Sequence, residues 1–359
     1  MDANNFNQED RALVVLASYD AKALYLTLLS LNETVSDDET IVIILNGKRG
    51  IRSAQVEEVA RQWCAGHKRR FVVRPLNYGG APYESIHEVL DQFAPLKNKG
   101  FICKMDDDII PLRKGWLENL HLKYMALEKS QPVGFVTPLI NNNAWGFAQL
   151  LDIFDKKEEF ALINNFYSTS GEGVVDPCSV ADGLCGTVWQ YPYLAKWCHE
   201  WTLLDVENFI EKTQYLPERE IPLGTHYSIG CIFFRKNLWG DVLSINQRTN
   251  FDELSLHLFC QQHSLPKFAV MSEPVGHLFY FVQRKANANL ISMCASRLAS
   301  FWGNKNFLDY PKYDMETFMM MELEEFHQGQ QEVLSKKFDE VCQKQQEFFV
   351  QQLNDFRQS

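Results

Sequence analysis

The chain has 359 residues, 46% of them hydrophobic and 13% aromatic, enough to bury a large core in one domain or two. A formal net charge of -11, with one short basic cluster at His67 to Arg70, argues against nucleic acid as a partner, because phosphate contacts need clustered Lys and Arg. Nine cysteines, an odd count with no CxxC pair, fit reduced thiols in a cytoplasmic protein and argue against a disulfide framework or a zinc site.

In chain order, the opening MDANNFNQED is polar and acidic and does not read as a signal peptide. RALVVLASYD predicts a buried strand with a polar tip, and AKALYLTLLSLNET a helix with Leu24, Leu28 and Leu31 on one stripe. TIVIILNGKRG predicts a second strand, SAQVEEVARQWCAG a second helix, and RRFVVRPLNYGGAP a third strand with a Gly-Gly turn. SIHEVLDQFAPL follows as a helix, FICKMDDD as a fourth strand, GWLENLHLKYMALEKS as a helix and VGFVTPLINNNAWG as a fifth strand. This alternation predicts a parallel sheet with helices on its faces. Ligands of such sheets gather at the carboxyl ends of the strands, where the tips SYD, NGK, NYGG and DDD all fall.

Residues 150–225 lose this periodicity and are rich in aromatics, Asn and Gly. HYSIGCIFFRKNLWGDV then predicts a strand and a short helix, and KFAVMSEPVGHLFYFVQRK a strand leading into a loop. Between them NFDELSLHLFCQQHSL predicts a helix whose acidic residues stand at the end where the dipole favours them. From about Tyr313 the tail has no proline, and Leu334, Phe338, Val341 and Phe348 recur at helical spacings. This predicts an amphipathic helix or short coiled coil, packed on its own domain or joining copies into a homo-oligomer. No apolar run approaches the roughly 18 residues that cross a bilayer, so no transmembrane segment is expected.

The aspartates raise the chemical question. Asp106, Asp107 and Asp108 stand together at a predicted strand end, where like charges repel without a counter-ion. Carboxylates at i and i+2 of an extended segment face the same way, so Asp106 and Asp108 can share a ligand while Asp107 faces away. Paired hard oxygen donors suit Mg²⁺ or Mn²⁺, which usually keep positions open for substrate phosphates. The plainer reading is an acidic loop or helix cap, since Pro111 and a helical stretch follow closely.

LVVLASYDAKALYLTLLSL resembles the opening of the inverting, family-2-like GT-A glycosyltransferases. TIVIILNG is similar to their second strand, NYGGAPYESIH to the segment after their third, and KMDDDIIPLRKGWLENL to their DxD strand and the helix after it. HYSIGCIFFRKNLW, NFDELSLHLFCQQHS and EPVGHLFY continue the series in order, so that it runs from Leu13 to Tyr280. The resemblance implies an α/β GT-A fold: a Rossmann-like, mostly parallel central sheet flanked by helices, with a C-terminal helical extension. The GT-A domain would cover 1–312, its nucleotide-binding half about 10–140 and its acceptor half about 141–312, with 313–359 as the tail.

It also implies site roles. Ser18, Tyr19 and Asp20 would lie against the nucleotide, the Tyr19 ring beside the base. Asn46 stands where an Asp commonly accepts the base imino hydrogen, which an amide oxygen can also accept. Asn77, Gly80, Lys104 and Asp107 would belong to the nucleotide-binding set, and Arg284 with Lys285 would clamp the diphosphate. Asp106 and Asp108 would bind Mn²⁺ or Mg²⁺, with His277 completing the metal shell. Glu253 aligns with the catalytic base, and Asp252 beside it is the alternative. The donor would be a nucleoside-diphosphate sugar, a UDP-sugar favoured, and the acceptor a hydroxyl of a glycan, a lipid-linked molecule or a small molecule. The expected place is the cytoplasm, including the inner face of a membrane.

Trp145, Trp189, Tyr191 and Trp197 offer either an acceptor-stacking wall or ordinary core. Two rival functions stand beside transfer. A sugar nucleotidyltransferase would carry a Gly-rich, basic loop after the first strand, where this chain has SYDAKALYLT. A non-catalytic sugar-nucleotide binder or scaffold would bind the donor without turnover.

Overall fold

A computed structural model of the chain describes residues 10–18, 20–47, 53–170, 192–225, 227–249, 251–278 and 289–311. Within them nine strands form one sheet: β1 (Arg11–Ala17), β2 (Ile41–Leu45), β3 (Arg70–Val73), β4 (Phe101–Asp106), β5 (Ile109–Pro111), β6 (Phe135–Ile140), β7 (Arg219–Ile221), β8 (Cys231–Arg235) and β9 (Lys267–His277). Their order is β3-β2-β1-β4-β8-β6-β9-β5, and β7 also pairs with β9. Strands β1 to β4, β6 and β9 run one way, while β5, β7 and β8 oppose them. The sheet is therefore mixed and mostly parallel, with helices on its faces, compatible with the expected Rossmann-like fold.

The parallel strands are near-continuous apolar runs because both faces are covered by helices. All seven residues of β1 and all five of β2 are buried. The helix Ala21–Thr34 follows β1, capped by the Asp20 carboxylate, which accepts from the Lys22 and Ala23 amides. Leu24, Leu28 and Leu31, the stripe read from the sequence, are at most 1% exposed. At the amino end of the sheet, Arg11 and Glu39 form a buried ion pair at 2.9 Å, their side chains 5% and 1% exposed.

Two details position the site. The chain does not pass straight from the aspartates into a helix: it turns at Asp107 and Asp108 and forms β5 against the end of β9. Only then does the helix Trp116–Glu128 begin, after Gly115 at φ 75°, a backbone that favours glycine. The sheet also runs across the expected boundary near residue 140, because β8 inserts between β4 and β6.

The aperiodic stretch contains the helices Ala144–Ile153, Lys157–Ser170, Pro192–Glu200 and Val206–Thr213. Their aromatic residues pack on one another: Phe147 meets Phe160, Trp197 and Trp201, and Phe154 meets Trp201 and Phe209. Ala144–Ile153 is covered on several sides and shows no clean apolar stripe, whereas Val206–Thr213 buries one face, Val206, Phe209 and Thr213, over too few residues to carry a period. The predicted tail, 313–359, lies outside the described residues.

Candidate functional site

The carboxyl ends of β1, β2, β4, β6 and β9 lie along one edge of the sheet, with the amino end of β8 among them. Ser18, Asn46, the three aspartates, Asn141 to Asn143, Ile229, Gly230 and His277 meet there by strand register alone. In the turn after β4, Asp107 is held from β1: its Oδ2 accepts from the Ser18 amide at 2.7 Å, and its carbonyl accepts from the Thr27 hydroxyl at 2.9 Å. Asp106 and Asp108 make other contacts, the former with Lys104 and the latter with His277. The three carboxylates thus have different partners, although Asp107 and Asp108 stand in a turn and not on the extended strand.

The geometry at His277 bears on metal binding. The Asn142 amide nitrogen donates to the His277 carbonyl at 2.9 Å, which turns the amide oxygen toward the ring Nδ1 at 2.7 Å. An oxygen acceptor at that distance requires the proton on Nδ1. Nε2 then faces Asp108 Oδ1 at 3.3 Å. A neutral ring would set a lone pair against a carboxylate. A cation resolves the clash: either a second proton on the ring, or a divalent metal bound by both atoms. The end of β9 is fixed further by Asn141, whose Oδ1 accepts from the His277 amide at 2.9 Å, and by the Leu278 amide, which donates to the Asp108 carbonyl at 2.9 Å. Asp108 Oδ1 and His277 Nε2 are thus two atoms that could face one cation. Among the described residues no group of three or more His, Cys, Asp or Glu side chains is placed to hold a metal unaided. Mg²⁺ and Mn²⁺ sites commonly draw their remaining oxygens from substrate phosphates and water.

Lys104 lies behind Asp106 on the same face of β4, 2% exposed. Its Nζ donates to Asp106 Oδ1 at 2.6 Å and to the Ile229 carbonyl at 2.8 Å. Burial pulls its pKa down, but the charges of Asp106, Asp252 and Glu253 outweigh this and hold it above the ordinary lysine value. Asp252 and Glu253 open the helix Asp252–Gln262. Glu253 Oε2 accepts from the Ile229 amide in a long, 3.4 Å hydrogen bond. Burial, and then the neighbouring carboxylates against the pull of Lys104, raise the Asp252 carboxyl above its ordinary range. A carboxylate tuned upward in this way is a better proton acceptor near neutrality.

At the tip of β2, Asn46 is 3% exposed and its amide nitrogen donates to Ser85 Oγ at 2.9 Å and to the Gly80 carbonyl at 3.2 Å. Those bonds tie β2 to the NYGG loop. A Cβ on Gly47 would stand 2.2 Å from the Tyr78 ring, and one on Gly80 would stand 2.2 Å from the Asn77 amide, so both glycines permit close approach. Asn77 itself is exposed and donates to Glu84.

Other residues singled out in the sequence have these contacts. The Asp20 carboxylate caps the helix after β1, and Lys104 is buried against Asp106. Of the two alternatives for Trp145 and Trp197, their burial at 6% and 8% exposure fits ordinary core. Tyr19, Trp189, Tyr191, Arg284 and Lys285 lie outside the described residues. The Asn141-Asn142-Asn143 cradle was missed as a site element. Three consecutive amides after a fully apolar strand were its only signal. No family model matches the chain and no curated protein matches it, so the chemistry of this strand edge has to speak for itself.

Proposed function

We propose that this strand edge is the active site of a GT-A-type glycosyltransferase. It takes a nucleoside-diphosphate sugar, a UDP-sugar favoured, with Mn²⁺ or Mg²⁺, and transfers the sugar with inversion to a hydroxyl of a glycan, lipid-linked or small-molecule acceptor. The observation that carries this reading is the Asp108–His277 pair, set at 3.3 Å with the ring proton directed to Asn142. Asp108 and His277, with Asp106, hold the metal, which supplies neutralisation of charge on the leaving diphosphate. Ser18 and Asn46 line the edge next to them on β1 and β2. Glu253 accepts the proton of the attacking hydroxyl on its carboxylate, with Asp252 beside it.

No helix among the described residues is long and apolar enough to cross a membrane, which suits a donor and acceptor met from the aqueous side. The test is a thermal-shift comparison of UDP, GDP, CDP and dTDP, each with and without Mn²⁺. A ligand at a hundred times its Kd adds about 2.7 kcal/mol to stability. The expected result is a Mn²⁺-dependent shift with UDP that vanishes in Asp108→Ala while the variant stays folded. A flat response to all four nucleotides overturns the reading.

A further inference from the structure

Lysine is among the residues least often buried, yet Lys104 lies inside a central strand of the sheet, 2% exposed. We propose that Lys104 is a positioning residue that fixes the spacing between the metal-side carboxylate of Asp106 and the proton-accepting carboxylate of Glu253. This role rests on the transfer reading above. One residue, Ile229, carries the connection. Its carbonyl accepts from Lys104 Nζ at 2.8 Å, and its amide donates to Glu253 Oε2 at 3.4 Å. The same ammonium donates to Asp106 Oδ1 at 2.6 Å, and the Asp106 amide donates to the Gly230 carbonyl at 2.8 Å. Donor side and acceptor side are therefore laced through residues 229 and 230, with Lys104 at the knot.

Inverting displacement needs the attacking and leaving oxygens in line, and a misplacement of about 1 Å can cost about 10²-fold in rate. Lys104 also competes directly with any metal for Asp106, since an ammonium already occupies that carboxylate. Its loss is therefore expected to move two properties in opposite directions. Metal affinity without nucleotide rises, because Asp106 is released, while turnover falls, because Glu253 is no longer held at its distance. A merely structural lysine would lower both.

The experiment compares wild type with Lys104→Met, which keeps the chain length without the charge. Mn²⁺ binding without nucleotide is followed by electron paramagnetic resonance, and UDP release from UDP-glucose, UDP-galactose and UDP-N-acetylglucosamine is followed with water as acceptor. Expected for the variant are a cooperative thermal transition, Mn²⁺ binding tighter than wild type, kcat lower by about 10²-fold and donor KM within about threefold. Turnover equal to wild type, or Mn²⁺ affinity, KM and thermal stability all worsening together, overturns the role. If the Met protein does not fold, Lys104→Gln keeps a donor for the Ile229 carbonyl and is held to the same criteria. A wild type that releases no UDP from any of the three sugars defeats the transfer reading and this role with it. A wild type that turns over beside an indifferent Lys104→Met defeats this role alone.

Discussion

The two ends of the sheet handle buried charge in opposite ways. At the amino end, Arg11 and Glu39 meet one to one, with two guanidinium nitrogens on the carboxylate at 2.9 and 3.1 Å and almost no solvent contact. That pair is complete and asks for nothing further. At the carboxyl end Lys104 stands among Asp106, Asp252 and Glu253, while Asp108 faces an imidazole whose other nitrogen is already engaged. Among the described residues, carboxylates there outnumber the lysine that meets them. The proposed metal would bring cationic charge to these carboxylates. One strand, β1, begins at the balanced end and finishes at the unbalanced one.

Substitutions can break this contrast. The largest expected effect is at the unbalanced end, where Glu253→Gln should lower turnover of the donor by about 10²- to 10⁴-fold and leave Mn²⁺–UDP binding nearly unchanged. Steady-state kinetics beside calorimetry reads both, and a loss shown by Asp252→Asn instead would move the base by one residue. At the balanced end, Glu39→Ala should cost about 3–5 kcal/mol in urea unfolding, because it strands the Arg11 guanidinium, yet should not alter nucleotide binding. A nucleotide-affinity change in that variant would show that the two ends are not independent.

A pH titration sharpens the picture. His199 is fully buried, its Nε2 2.9 Å from the Leu278 carbonyl, and burial pushes its pKa down from 6.5 to about 4. The unfolded chain therefore takes up this proton before the folded one does. Its contribution is complete above pH 6.5 and is lost as pH falls toward 4, by on the order of 3 kcal/mol. Urea midpoints measured across that range should fall with acid, and less steeply in His199→Gln. The smallest effect concerns Asn46→Asp. Replacing its amide nitrogen by a carboxylate oxygen facing the Gly80 carbonyl should cost about 1–3 kcal/mol. A variant of unchanged stability with tighter UDP binding would instead make position 46 a reader of the base.

Much of the fold was legible because local pattern and burial agree. The apolar runs at Leu13, Ile41 and Phe101 are strands of the central sheet, and the leucine stripe after Asp20 is the face that packs on it. The direction of β8 was not legible, since CIFFR reads the same whether its neighbours run with it or against it. Strand β5 was hidden for a different reason: three residues between a charged turn and a helix carry no period of their own. Within the site, the gathering of Ser18, Asn46 and the aspartates at one edge of the sheet followed from the strand pattern. The roles of Lys104 and Asn142 did not, because each depends on a partner more than a hundred positions away, Ile229 in one case and His277 in the other. Sequence patterns report periodicity within a segment; they do not report which distant backbone groups a side chain will reach.

The pairing of β5 with β9 has a consequence for biosynthesis. Asp108 and His277 become neighbours only through that pairing, and β9 is the last strand of the sheet to be made. A nascent chain halted anywhere before residue 277 contains β1 to β4, yet it carries only one half of the Asp108–His277 pair. On the function proposed above, Mn²⁺-dependent UDP binding would therefore have to wait for the final strand, and would report chains in which β5 and β9 have paired.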